Sequence, residues 1–168
     1  KPVPLLRSTG QLKRRGQLVT TLDLYDLLLR GDSSNDLRLI SGDVIFIPPV
    51  GKTAGIAGEV RRPAIYELKG ESKASDLLYL AGGLLPDADP RTATVERIDD
   101  SRVRVVLDVD LTIPSGRALP LRSGDVMRIA AVRPQLANAV TLSGNIYRPG
   151  VVAWRQGLRV VDVLPRPE

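Results

Sequence analysis

Neither cysteine nor histidine occurs among the 168 residues. Their absence removes thiol nucleophiles, imidazole general bases, the Ser-His-Asp arrangement and Cys/His zinc sites together. Rings are scarce as well, with one Trp, one Phe and four Tyr. So few aromatics cannot stack a run of unpaired bases, and nucleic acid is not an expected partner. No stretch of about 18 apolar residues appears, so no helical membrane span is expected. The first residues also lack the charged, apolar and small-residue order of a signal peptide. A chain without thiols fits reducing and oxidising compartments equally.

What is present suits a packed domain built from short elements. Hydrophobic residues make up 43% of the chain, supplied mainly by Leu, Val, Ile and Ala, while 15 Gly and 13 Pro punctuate it. The net charge of +5 favours anionic partners over cationic ones. Acidic residues are interspersed throughout, so solvation of the surface is the simpler account of that charge.

The chain repeats itself, with a period too long for a solenoid and close to a small domain. Leu37–Ile47 (LRLISGDVIFI) matches Leu119–Ile129 (LPLRSGDVMRI), and both carry Ser-Gly-Asp-Val. Thr21–Leu28 corresponds to Val106–Ile113 with slippage in the connecting loop. Gly58–Tyr66 matches Gly144–Val152, and the segment from Ser75 matches the segment from Val161. One complete copy is expected over 53–132, with 1–50 as the back half of a preceding copy and 139–168 as the front half of a following one. The chain then reads as part of a longer tandem array, with 1–50 and 139–168 completing one module in cis or by exchange between chains.

Within the complete copy, TAGIAGEV and AIYEL form a hairpin bracketed by Gly58 and Pro63. Helical spacing over Glu71–Ala81 puts Ala74, Leu77, Leu78 and Ala81 on one face, with Ser72 or Ser75 as cap and Gly82-Gly83 as stop. After a loop rich in Pro and Asp, ATVERI and VRVVLDV read as two strands, and Ser123-Gly124-Asp125 turns into a last strand, VMRIAAV. This order is that of a β-grasp, so the fold class is α+β, with tandem ubiquitin-like β-grasp modules: one complete copy flanked by two half-copies.

These stretches resemble a known family. GEVRRPAIYELKG, the helix ending in LAGGL, the ERI strand and the final SGDV strand are similar to soluble-ligand-binding β-grasp (SLBB) modules of bacterial polysaccharide export proteins. DLYDLLLRGD followed by RLISGDVIFIPPVG is similar to the region between such modules. The resemblance implies a non-catalytic structural and interaction module, periplasmic and associated with the outer membrane, in an exporter of capsule or exopolysaccharide. It also implies homo-oligomerisation, contact with inner-membrane export machinery in the parent protein, and contact with an anionic or neutral polysaccharide. The alternative it leaves open is a β-grasp receptor for a small soluble ligand or oligosaccharide.

No catalytic residue, cofactor or metal ligand is expected. Gly-Lys-Thr at 51–53 lacks the first glycine of a phosphate loop, Phe46 standing there, and Pro48-Pro49 stiffens the approach. Asp108 and Asp110 alternate on a strand, where a solvated strand end is a simpler reading than a metal or acid–base pair, and Asp87 and Asp89 lie between Pro86 and Pro90, where turn formation explains them. Arg61 and Arg62 at the hairpin, echoed by Arg148 beside Tyr147, are the candidates for binding polymer or a neighbouring subunit, because a guanidinium fork holds carboxylates. Tyr66 joins them as a ring able to stack on a sugar, although both it and Trp154, at a nearly equivalent position, also suit packing.

Overall fold

The structure is a computed structural model, and it describes residues 3–5, 7, 9–133, 136–146 and 148–164. It is an α+β arrangement, mostly strand, divided into two compact units spanning 1–132 and 133–168.

The first unit is organised by one hairpin and one helix. Strands β5 (Lys52–Gly58) and β6 (Ala64–Leu68) pair antiparallel, Ala54 facing Tyr66. Helix α2 (Ala74–Leu80) follows and buries Ala74, Leu77 and Leu80. Strand β9 (Val126–Ala131) then lies parallel beside β5, with Gly55 facing Val126. Strands β7 (Ala88–Ile98) and β8 (Arg104–Val109) continue the sheet antiparallel beyond β9. On the other side a short strand, β1 (Val3–Leu5), adds parallel to β6. The sheet order is β1-β6-β5-β9-β7-β8, and Ile56, Tyr66, Leu77, Val95, Met127 and Ile129 form its buried centre. A β-strand clasp around one helix is thus observed over 52–131.

A second, smaller sheet in the same unit consists of β2 (Gly10–Arg14), β3 (Gln17–Leu22) and β4 (Asp43–Phe46), in the order β3-β2-β4, with α1 (Leu24–Arg30) between β3 and β4. The separate unit at 133–168 contains a hairpin, β10 (Ala139–Leu142) with β11 (Gly150–Ala153), followed by α4 (Val160–Val163).

Local geometry recurs where the sequence does. In β10–β11, Val140 faces Val152 and Leu142 faces Gly150, the partners that an offset of 86 assigns from Ala54–Tyr66 and Ile56–Ala64. Asp76 accepts the backbone N–H of Lys73 at the start of α2, and Asp162 accepts that of Arg159 at the start of α4. Each Ser-Gly-Asp turn has its glycine at positive φ, 85° at Gly42 and 88° at Gly124. Each also aims its aspartate at an arginine of the neighbouring strand. Asp43 accepts two bonds from Arg14 (2.8 and 2.9 Å), and Asp125 accepts two from Arg97 (3.0 and 2.6 Å). The same carboxylates accept the amides of Ile40 and Arg122, three residues upstream of each. Such two-point arginine–carboxylate contacts fix the angle between strands as well as their separation.

Three details differ from the sequence reading. The helix begins at Ala74 and its cap position is Lys73, not Ser72 or Ser75, because Asp76 gathers the amides of Ser72 and Lys73 and Glu71 folds back onto Lys69 and Gly70. Part of the expected Pro-rich loop is strand. Ala88 and Asp89 pair with Ala131 and Ala130, and the register then breaks before Thr94, which accommodates the missing N–H of Pro90. A short helix, α3 (Pro114–Arg117), was not anticipated; Pro114 suits its first turn, where no partner for an N–H is needed.

The sharpest constraint on the hairpin is Gly58. Its φ is 86°, and a Cβ there would lie 1.9 Å from the carbonyl oxygen of Ile129. Gly58→Ala is therefore expected to destabilise the first unit by about 2 kcal/mol or more. Gly70→Ala, where a Cβ meets nothing within 4 Å, should stay within about 1 kcal/mol. Urea unfolding of both variants checks this, and equal midpoints would contradict the assignment.

Candidate functional site

The turn joining β5 to β6 and the end of α2 are tied together by the backbone. The amide of Arg61 donates to the carbonyl of Gly83 (3.1 Å) and that of Arg62 to Ala81 (3.0 Å). The Arg62 side chain reaches the carbonyl of Leu80 at 3.3 Å, so it covers the exposed carbonyl end of the helix. Its guanidinium needs Gly82 beside it. A Cβ on that residue would come within 3.1–3.4 Å of three guanidinium atoms, and the φ of 79° favours glycine independently.

Arg62 also lines a cleft of about 630 Å³, built within the first unit from α1, α2, the Gly82-Gly83 turn and the segment around α3. Leu29, Leu78, Leu84 and Leu111 supply apolar wall, Arg30 and Arg117 join Arg62 as cations, and among the described residues no carboxylate lines it. Tyr79 is 66% exposed and also lines the cleft. The volume lies within the usual range for small-molecule sites.

Of the candidates Arg61, Arg62 and Tyr66 in the first unit, Arg62 lines this cleft. Arg61 is exposed beside it in the same turn. Tyr66 must be corrected as a stacking candidate. It is 0% exposed, packs edge-on against Tyr25 (ring centroids 5.9 Å apart) and donates its hydroxyl hydrogen to the carbonyl of Arg62 at 2.8 Å. It therefore supports the turn from beneath and offers no face to a ligand. Arg148 is exposed in the β10–β11 connection, and Tyr147 lies outside the described residues. Trp154 sits just past β11, at the register of Leu68 and not of Tyr66, which Val152 matches. Lys52 opens β5 as a strand residue, so Gly-Lys-Thr forms no phosphate loop. Asp110 is held by Thr112 and Asp89 by Arg91. Among the described residues no group of three or more His, Cys, Asp or Glu could hold a metal ion.

Arg30, Tyr79 and Arg117 were missed. Tyr79 could have been found, since in a helix whose apolar face is Ala74, Leu77 and Ala81 an aromatic one position off that face has no core to enter. Arg117 gave no signal, because nothing local predicts the loop that brings it to α2.

A second polar cluster joins the smaller sheet to the main one. Arg7, with its side chain 7% exposed, donates to Asp23 at 2.6 Å and to both oxygens of Glu71 at 2.9 and 2.8 Å. Its guanidinium also lies 5.0 Å from the centre of the Tyr25 ring. The Tyr25 hydroxyl accepts the amide of Glu67 at 2.8 Å, and burial pushes its pKa up to about 12. Burial alone would raise the Glu71 carboxyl. The amides of Lys69 and Gly70 together with Arg7 outweigh that and hold it at about 2, against an ordinary value of 4.5. For Arg7 burial likewise disfavours the charge, and the bonds to Glu71 and Asp23 more than restore it.

Two consequences are measurable. A carboxyl whose pKa is lower in the folded chain contributes its full stability above about pH 4.5 and loses it progressively as the pH falls towards about 2. Unfolding midpoints should drop across that interval, and Glu71→Gln should flatten the drop; an unchanged slope in the variant would contradict the role. Arg7→Ala takes from two largely buried carboxylates the cation they share, leaving Asp23 only the more distant Lys69 at 3.7 Å, and should cost about 3 kcal/mol or more in urea unfolding at neutral pH. The loss should be smaller in a Glu71→Gln background, since one orphaned charge is then removed.

No curated protein matches the chain. Residues 53–106 match the family model of the SLBB domain, a span running from β5 through the hairpin, α2 and β7 into β8. The hairpin with its glycine turn, the capped helix and the ribbon that follows are thus those of an SLBB domain, which the chain carries at residues 53–106.

Proposed function

We propose that the chain is a non-catalytic structural and interaction element of a capsule or exopolysaccharide export protein, made of tandem β-grasp modules and working in the periplasm as part of an oligomer. The observation that carries this reading is the recurrence of strand register, helix start and Arg–Asp turn at the positions where the sequence repeats. The SLBB match at 53–106 and the likeness of DLYDLLLRGD and RLISGDVIFIPPVG to inter-module segments of such exporters support it.

Assembly is supported by what the partial copies leave uncovered. Met127 and Ile129 are buried in the complete copy, at 0% and 1% exposure, whereas their counterparts Ile45 and Ile47 are 57% and 61% exposed. In the separate unit, Val160 is 72% exposed where Ala74 of α2 is 0%. Apolar faces of this extent favour closure by complementary half-modules of the array. The positive net charge adds a field suited to an acidic polymer.

The decisive experiment is an in-frame deletion of these 168 residues from the gene of the organism that makes the protein. Surface polysaccharide should fall sharply while polymer accumulates within the cell. Normal amounts at the surface would overturn the reading.

A further inference from the structure

The arginines of the cleft are held in an unusual way. Arg62 donates to the carbonyl of Leu80, and Arg117 donates through Nε to the carbonyl of Leu111 at 2.7 Å. Both are oriented by neutral main-chain oxygens, and among the described residues neither forms an ion pair. Their positive charge is therefore fixed in place without being neutralised. Arg97 shows the contrast, since Asp125 compensates it fully. Arg30 is intermediate, paired with Asp26 at 2.6 Å but half exposed.

Orientation without neutralisation is what an anion-binding site requires. A guanidinium bound to one carbonyl keeps most of its five N–H donors for an incoming carboxylate. The leucines give the cleft apolar wall, and Tyr79 presents a ring that no core contact consumes. A flat apolar face combined with a carboxylate is the chemistry of a uronic acid, whose pyranose C–H face lies on aromatic or aliphatic surface while its carboxylate takes the fork.

We infer that the cleft lined by Arg62, Tyr79 and Arg117 binds carboxylated sugar units, a uronate-containing stretch of an acidic polysaccharide. This rests on the reading of the chain as an element that handles such polymer. Arg62 and Arg117 hold carboxylate, Tyr79 stacks on the ring, and Gly82 keeps the space that the Arg62 guanidinium occupies.

The test is calorimetric titration of the purified chain with a tetramer of galacturonic acid, beside the neutral maltotetraose and inorganic sulfate. Saturable binding of the uronate alone is expected. Tyr79→Ala and Arg117→Gln should each weaken it about fivefold, the order of one charge-assisted or stacking contact at a half-open site. Arg104→Gln, at an exposed arginine of β8 away from the cleft lining, should leave it unchanged. Circular dichroism melts confirm that each variant is folded. Equal binding of the neutral tetramer, displacement of the uronate by sulfate at equal concentration, equal weakening by Arg104→Gln, or no binding at all would each overturn the assignment. Failure here leaves the export reading standing, because that reading is scored by surface polymer in cells. Normal export beside intact uronate binding would do the reverse.

Discussion

The buried guanidinium of Arg7 is the contact on which the first unit depends. Removing a cation from water is expensive, and only close, well-directed partners make up the cost. Here the partners come from different parts of the chain: Asp23 at the start of α1, and Glu71 ahead of α2. One side chain thus ties the smaller sheet to the main one. The parallel pairing of β1 with β6 and the Tyr25–Tyr66 contact lie at the same junction and have the same effect. A purely apolar junction could slide, but a guanidinium that gives Nε to Asp23 and Nη1 to Glu71 cannot follow such a slide without losing one of its two carboxylates. The angle between the smaller sheet and the SLBB domain is accordingly a property of the folded chain.

The paired Arg–Asp turns apply the same chemistry within each of the two sheets of the first unit. In both, an aspartate follows a glycine of positive φ, accepts an upstream amide, and receives an arginine from the adjacent strand. Asp43, bonded to Arg14 and to the amide of Ile40, is held at about 2, well below the ordinary carboxylate value. The turn and the strand pairing are thereby specified together. This explains why Ser-Gly-Asp-Val is the most visible repeat in a chain otherwise rich in interchangeable aliphatics.

Much of this was legible because it is local. The glycine turn at 58, the strand Ala64–Leu68, the helix stop at Gly82-Gly83 and the Ser-Gly-Asp turns each follow from residues within a few positions of one another. What escaped was long-range. The parallel pairing of β5 with β9 joins segments some 70 residues apart, and no local pattern announces it. Arg7 gave no sign of its partners for the same reason. The cleft was only half readable: Arg62 stood out beside Pro63, while Arg117 enters through a loop whose path is set by tertiary packing. Tyr66 was readable as either a packing or a stacking ring, and the structure makes it a packing one, because alternation along a strand gives two faces without saying which one a helix will cover.

Pro48 and Pro49 lie between β4 and β5, where the smaller sheet hands over to the SLBB domain. Two consecutive prolines have fixed φ and almost no capacity to stretch or coil. The lead-in to β5 is therefore held extended, so a single residue inserted there would rotate the smaller sheet against the SLBB domain and pull Asp23 and Glu71 out of common reach of Arg7.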